Sequence, residues 1–175
     1  MELRLPAPHE EPEFRRVVAA IPADHPTFLH FHRADMSLAE YLDVLRKQAL
    51  DIDTAPDSEV PSTFLFAFVD GRIVGRASIR HSLDHPLGLM TGHIGYAVLP
   101  EFRGRGHATD ILRLALRHAH AQLGIPHVLV TCDPGNLASI RVIEKNDGVF
   151  EDERLDAATG MRKRRYWIDV LPYDG

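Results

Sequence analysis

Cysteine is almost absent from this chain of 175 residues. Cys132 stands alone, which excludes an internal disulfide and a cysteine-rich zinc site. Long apolar runs are absent too, and no stretch approaches the roughly 18 residues that read as a membrane span. Positive charge is in deficit: 20 Lys plus Arg face 25 Asp plus Glu, giving a formal net charge of −5. An acidic chain is a poor nucleic-acid binder by default, although a local basic patch can hold a compact anion. Internal repeats, low-complexity tracts and long linkers are missing. Met1 to Pro12 is charged and proline-rich, unlike a signal peptide. These absences lead to the expectation of a cytoplasmic protein with no membrane or nucleic-acid partner. What remains is ordinary, with 45% hydrophobic and 26% charged residues, near the usual globular values. The length fits a single domain over residues 1–175 (or two very small ones), and such a chain buries roughly 70% of its unfolded surface. The one unusual count is 11 histidines.

Patterning predicts an α/β domain with a mixed sheet. Glu2 to Leu5 alternates like a short strand. Phe14, Val17 and Val18 have helical spacing within 10–21, and 22–35 reads as irregular. Ser37 and Glu40 form a capping-box pattern, after which Leu38, Tyr41, Leu42, Leu45 and Ala49 follow one helical face. Residues 51–61 read as a polar loop. Phe64 to Val69 and Ile73 to Ile79 flank Asp70-Gly71, a hairpin signal. A loop over 80–91 precedes a strand over His93 to Leu99. A long amphipathic helix spans Ala108 to Leu123, capped by Gly124 and stopped by Pro126. His127 to Cys132 is a short strand, so strand, helix and strand form a crossover, expected to be right-handed and parallel. A second helix covers 136–145, and strands over 149–155 and 164–170 are joined by a turn near Ala158 to Gly160.

The most informative segment is Val98-Leu99-Pro100-Glu101-Phe102-Arg103-Gly104-Arg105-Gly106-His107-Ala108-Thr109. A strand ends, a turn carries two glycines and two arginines, and a helix begins. The first N–H groups of a helix have no intrahelical partners, and the helix dipole adds partial positive charge there. Gly104 and Gly106 permit positive φ and leave room for a close ligand. The segment describes a cradle for phosphate or pyrophosphate. A P-loop would need Lys-Ser or Lys-Thr where His107-Ala108 stands. A dinucleotide fingerprint would need Gly or Ala at Thr109.

Arg103-Gly104-Arg105-Gly106-His107-Ala108 resembles the acyl-CoA cradle of the GNAT N-acetyltransferase superfamily, whose pattern is Gln or Arg, two residues, Gly, one residue, Gly or Ala. A second segment, Asn136 to Asn146, is similar to the version in the ribosomal-protein N-terminal acetyltransferases, as is Ala108-Thr109-Asp110. Arg165-Tyr166-Trp167-Ile168 resembles an uncharacterised bacterial acetyltransferase branch. The resemblance is specific over 92–150 and loose before Phe64. It implies a GNAT fold: a mixed, mostly antiparallel central sheet flanked by helices, with the parallel crossover carrying the acyl-CoA site. It also implies acetyl-CoA as co-substrate, an amine acceptor and no metal. Backbone groups around Val98, Leu99 and Pro100 would pair with the pantetheine arm, and the Val98 N–H would hold the thioester oxygen. The N–H groups of Arg103, Gly104, Arg105, Gly106, His107, Ala108 and Thr109 would hold the pyrophosphate. Asn136 and Ser139 would face the pantetheine and sulfur. Many members pair through the C-terminal strands, which leaves a homodimer open. The chain departs from the pattern at Ile143, where many members carry a tyrosine that protonates the thiolate, and by an extra residue in Asn146-Asp147-Gly148-Val149-Phe150.

Residue chemistry narrows the catalytic candidates. A thioester acylates a neutral amine without covalent help, but an alkylammonium titrates near pH ~10 and must lose its proton. The developing oxyanion needs N–H donors. Ser139 is the candidate donor to the thiolate, with local helix capping as its plainer role. His93 and Tyr96 are the base and polar candidates, and ordered water is the alternative base. Cys132 precedes Asp133-Pro134-Gly135 with no evident histidine partner and reads as a buried strand-end residue. The histidine pairs at 30 and 32, 81 and 85, and 118 and 120 lack the convergent ligands zinc needs. Acceptor choice is expected in the loops 22–35, 51–63 and 80–91. Asp51, Asp53, Asp57, Glu59 and Asp84 would suit a cationic acceptor there, or are solvated loop charge. The reading is acetyl transfer from acetyl-CoA to a primary amine of a small molecule by direct attack in a ternary complex. Protein N-terminal acetylation and non-catalytic acyl-CoA binding are the alternatives.

Overall fold

The computed structural model describes residues 1–21, 27–51, 60–85, 87–157 and 159–170. Its strands are β1 (Glu2–Arg4), β2 (Ser62–Val69), β3 (Arg72–Arg80), β4 (Ile94–Val98), β5 (His127–Cys132), β6 (Val149–Leu155) and β7 (Arg162–Asp169). Its α-helices are α1 (Glu11–Ala19), α2 (Leu38–Leu50), α3 (Gly88–Thr91), α4 (His107–Leu123) and α5 (Leu137–Glu144). The one-turn α3 interrupts the stretch expected to be loop. Residues 52–59 of the expected loop and 22–26 of the expected irregular stretch lie outside the described residues, and 27–35 is irregular as expected.

Local chemistry accounts for the main elements. Ser37 accepts from the Glu40 N–H at 3.2 Å while Glu40 accepts from the Ser37 N–H at 2.8 Å, the expected capping box. Asp70 and Gly71 both take positive φ, 48° and 74°, as a tight turn matching the strand twist requires. Gly124 ends α4 in the left-handed conformation.

The α/β class is as expected, but the strands are shared between two sheets. One has the order β1-β2-β3-β4 and the other β5-β7-β6, and every ladder is antiparallel. The crossover from β4 through α4 to β5 therefore links two sheets. No ladder joins β4 to β5 among the described residues. Just before β4, the His93 N–H donates to the Leu129 carbonyl at 2.7 Å and the Leu129 N–H donates to His93 Nδ1 at 2.9 Å. A Cβ on Gly92 would lie 2.7 Å from that carbonyl, so only glycine allows the approach.

Two cores sandwich the first sheet. On one face α4 and α5 bury Ile111, Leu112, Ala115, Ile140 and Ile143 against Ala77, Ile79, Ile94, Val128 and Val130. On the other, α1 and α2 bury Phe14, Val17, Tyr41, Leu42 and Leu45 against Phe64, Phe66 and Phe68. The two-residue side-chain period of a strand sends Ile94, Tyr96 and Val98 toward α4 and Gly95 and Ala97 toward α1 and α2.

Candidate active site

The turn before α4 has the geometry its sequence suggests. Gly104 and Gly106 take φ of +76° and +85°, and no atom lies within 4 Å of where either Cβ would be. Gly106 is the N-cap of α4 and offers no side-chain oxygen to its first N–H groups. Arg103, Gly104, Arg105 and Gly106 are exposed, and His107, Ala108 and Thr109 half-buried. Arg105 and His107 both lie against the Phe102 ring, at 5.8 and 6.4 Å. Arg103 Nε donates to the Val98 carbonyl at 3.1 Å, which ties the turn to the end of β4. Two of the N–H groups expected to hold pyrophosphate are engaged within the turn: Arg103 N–H donates to the Pro100 carbonyl at 3.2 Å and Thr109 N–H to the Gly106 carbonyl at 3.0 Å. The helix dipole and the exposed guanidinium groups give the turn the chemistry to attract an anion.

Among the described residues β4 is laddered on one side only. Its residues alternate in direction, and the Leu99 N–H donates to the Val74 carbonyl at 2.9 Å. The N–H groups of Tyr96 and Val98 consequently point away from β3, toward β5. Leu99 is different from the expectation: its N–H is engaged by Val74, its carbonyl accepts from Phe102, and its side chain is wholly buried with Phe14 and Ile73. Of the segment expected to hold the pantetheine arm, Val98 presents its N–H and Leu99 does not.

Tyr96 and Ser139 meet across this gap. Tyr96 Oη lies 2.8 Å from Ser139 Oγ, joining the middle of β4 to the first turn of α5. Asn136 caps α5, accepting from the Ser139 N–H at 3.0 Å. Burial pushes the Tyr96 phenol up to about 12, against a smaller lowering by the Ser139 hydrogen bond. Ile143 is fully buried beneath Gly148, whose absent Cβ would stand 2.4 Å from Ile143 Cγ2. Asn146 is a residue that motif reading passed over: its Nδ2 donates to the carbonyls of Thr109 at 3.2 Å and Val142 at 2.9 Å, fastening α5 to the start of α4. Cys132 is buried, and burial pushes its thiol up, opposite to what a nucleophile requires.

His93 sits where the sheets touch. Its Nδ1 accepts from the Leu129 N–H at 2.9 Å, and its ring lies edge-on to Trp167 at 6.4 Å. Burial, reinforced by the Arg80 charge, lowers its pKa to about 4. An Nδ1 that accepts a backbone N–H is the unprotonated nitrogen, so the neutral ring carries its proton on Nε2. The basic lone pair of His93 is thereby engaged in joining the two sheets.

On the α1–α2 side of the gap lies a cavity of ≈ 260 Å³, walled by Arg76, Ser78 and Arg80 of β3, Gly95 of β4, Thr131 of β5 and Lys163 of β7. Asp51 and Asp84 are exposed and do not line it. Asp53, Asp57 and Glu59 lie outside the described residues. The available signal was the set of Arg76, Ser78 and Arg80, polar residues at every second position of one strand. The described histidines are dispersed: His81 faces Thr63, His127 pairs with Asp169, and His32 packs against Phe14 and Tyr41. Among the described residues no three His, Cys, Asp or Glu side chains converge on a metal position, and no helix is long and apolar enough to cross a membrane.

Comparison with known proteins gives this geometry a family. The sequence is similar to an uncharacterized N-acetyltransferase, YnaD, of Bacillus subtilis (strain 168), at 23% identity over 82 residues. That match covers 47% of this chain and 41% of the relative. Among solved structures, RimL, a ribosomal L7/L12 alpha-N-protein acetyltransferase in complex with coenzyme A, has a TM-score of 0.66 at 18% identity, covering 96% of this chain and 93% of that one. A spermidine N-acetyltransferase from Vibrio cholerae, SpeG, has a TM-score of 0.62 at 13% identity, covering 97% and 95%. These likenesses carry the fold. The acetyltransferase (GNAT) domain model matches residues 2–149, and the chain belongs to that family.

Proposed function

We propose that this protein is an N-acetyltransferase that moves the acetyl group of acetyl-CoA to a primary amine, by direct attack in a ternary complex. The observation that carries the reading is the one-sided ladder of β4 beside the anion cradle of α4. An unpaired strand edge accepts an extended arm as it would another strand. The arm that enters here would end on a pyrophosphate held by the N–H groups from Gly104 to Ala108, since those of Arg103 and Thr109 donate to backbone carbonyls.

The Val98 N–H polarises the thioester oxygen and stabilises the oxyanion. The amine nitrogen forms its bond to the carbonyl carbon, the carbon–sulfur bond breaks, and the amine proton passes to sulfur or water. Ser139 and Tyr96 act as hydrogen-bond donors to the departing thiolate. Neither gives up its proton outright: a phenol at about 12 is a weaker acid than a thiol near ~8.5. The pair takes the place that Ile143 cannot fill. With its lone pair engaged by Leu129, His93 holds the sheets in register, and water is the base for the amine. The acceptor is a small molecule, because the cavity on the acceptor side is of small-molecule size. Likeness to RimL favours the second reading, acetylation of a protein N-terminus.

The test is a thermal-shift comparison of acetyl-CoA, CoA and ATP, followed by CoA release with small amines and with peptides. Stabilisation by both CoA species and amine-dependent release is the expected result. Stabilisation by ATP without CoA sinks the assignment, and release with peptides alone transfers it to the second reading.

A further inference from the structure

Phe31 stands in a turn position that ordinarily takes glycine. The His32 N–H donates to the Leu29 carbonyl at 3.4 Å, closing a four-residue turn with Phe31 at its third position. Phe31 has a φ of +62°, in the left-handed region. Among the described residues the other non-glycine positions with positive φ are Asp51, Asp70 and Asp147. A short polar side chain tolerates this region, whereas a bulky one is an outlier there.

Burial does not offset the strain, because 41% of Phe31 is exposed. Its neighbours impose the conformation. Phe28 and Leu29 are buried in the core that α1 and α2 cover. The His30 carbonyl accepts from Tyr41 Oη at 2.8 Å. The His32 ring packs against Phe14 at 5.5 Å and Tyr41 at 5.3 Å. Both flanks of Phe31 are thereby fixed to α1 and α2, and the turn between them must carry the phenylalanine. Strained residues that the surrounding structure over-determines cluster at ligand clamps.

The position of the ring gives it a use. His30, the preceding residue, lines the ≈ 260 Å³ cavity together with Ile94, Gly95 and Met161. The Phe31 ring meets the His30 ring edge-on at 6.1 Å, and the His30 ring lies 5.9 Å from that of buried Phe64. A row of three rings therefore runs from solvent at Phe31, past the cavity wall at His30, to the core at Phe64. Gly95 marks the other end of the cavity, and the next residue, Tyr96, turns to the opposite face to meet Ser139. A molecule whose amine reaches Gly95 leaves its far end against His30 and Phe31.

We infer that this cavity receives the acceptor and that Phe31, with His30, selects a primary amine bearing an aromatic group, whose ring packs on Phe31 while the amine points to Gly95. The inference rests on the acetyl-transfer reading. Aromatic rings pair edge-to-face or offset with a gain beyond the area they bury. The rest of the wall suits the same guest, since the Arg76 guanidinium already lies 5.9 Å from the Phe28 ring and 5.7 Å from the Phe64 ring.

CoA release from acetyl-CoA measured with 2-phenylethylamine, 4-phenylbutylamine, ethylamine and butylamine tests the inference. The better aryl amine should exceed its alkyl counterpart in kcat/KM by about tenfold or more. Phe31→Ala and Phe31→Gly should each reduce that ratio about fivefold or more, chiefly by raising KM for the aryl amine, while KM for acetyl-CoA stays within about twofold. Phe31→Tyr keeps a ring and should keep the ratio. Glycine suits the left-handed turn, so Phe31→Gly should have a higher urea midpoint than Phe31→Ala and guards the test against misfolding. A ratio near one in the parent overturns the inference, as does a ratio that Phe31→Gly leaves unchanged or that Phe31→Tyr loses. A lower midpoint for Phe31→Gly than for Phe31→Ala refutes the strain on which the inference stands. Titration with 2-phenylethylamine in the absence of acetyl-CoA separates the two readings. If CoA fails to stabilise the protein while 2-phenylethylamine binds in a Phe31-dependent way, acetyl transfer fails and the ring site stands. If CoA binds and neither aryl amine binds or reacts, the ring site fails alone.

Discussion

Replacing Ser139 by alanine is the sharpest probe of the chemistry, because the structure limits what else the change disturbs. Ser139→Ala deletes one hydroxyl. The cap of α5 survives, since Asn136 accepts from the backbone N–H of residue 139. The structural loss is the 2.8 Å contact to Tyr96 Oη, a neutral hydrogen bond worth about 1 kcal/mol. The urea midpoint should therefore move little. The effect on turnover should be far larger. A donor aimed at a leaving thiolate contributes on the order of 10²-fold, so kcat should fall by about that factor while KM for acetyl-CoA stays within about twofold. Tyr96→Phe removes the group that orients Ser139 and should cost about tenfold. Because the two hydroxyls act as one unit, the double variant should be no slower than Ser139→Ala by more than about twofold. Steady-state CoA release, with CoA affinity measured by calorimetry, reads each quantity. If Ser139→Ala keeps its kcat with CoA binding intact, or if the two losses multiply, the hydroxyl pair is not the thiolate donor.

Two further expectations concern the frame around that pair. A folded-state pKa of about 4 against 6.5 means that the unfolded chain binds more protons at His93 between those values, so stability rises with pH across that window and is lost as pH falls through it. The contribution is at most about 3 kcal/mol, and it should be absent from the urea stability of His93→Asn compared with the parent between pH 4 and 6.5. Gly106→Ala forces a Cβ onto a φ of +85° at the mouth of the cradle. It should cost about 1–2 kcal/mol of stability and weaken CoA binding about tenfold, and an unchanged CoA affinity would place the pyrophosphate elsewhere.

Local signals were legible in the sequence because their causes are local. The Ser37–Glu40 box, the Asp70-Gly71 hairpin, the Gly104 and Gly106 turn and the Gly124 stop each depend on a few neighbouring residues and their φ preferences. The motif spacing likewise located the turn before α4 and the start of α5, with Ser139 in its first turn. Register between distant elements is another matter. The alternation that leaves the Val98 N–H open also turns Leu99 inward, and this parity follows from how β4 pairs with β3. His93 read as a base candidate in the sequence, but its role depends on the Leu129 N–H that only the meeting of β4 and β5 brings to it.

By itself the sequence determined an α/β chain with a glycine- and arginine-bearing turn at one helix start, and its motifs resemble those of a family that uses acyl-CoA. The elements and the turn rest on periodicity and turn chemistry, which are properties of contiguous residues. Tertiary structure alone decided that the strands divide into two sheets, that Tyr96 reaches Ser139, and that Arg76, Arg80 and Lys163 share one cavity. Each of these joins residues far apart in the chain, through packing that no local preference encodes. The loop carboxylates Asp51, Asp53, Asp57, Glu59 and Asp84 suggested a cationic acceptor or solvated charge, whereas the described lining of the cavity at the gap brings Arg76, Arg80 and Lys163 together, because charge read along a chain is not an arrangement in space.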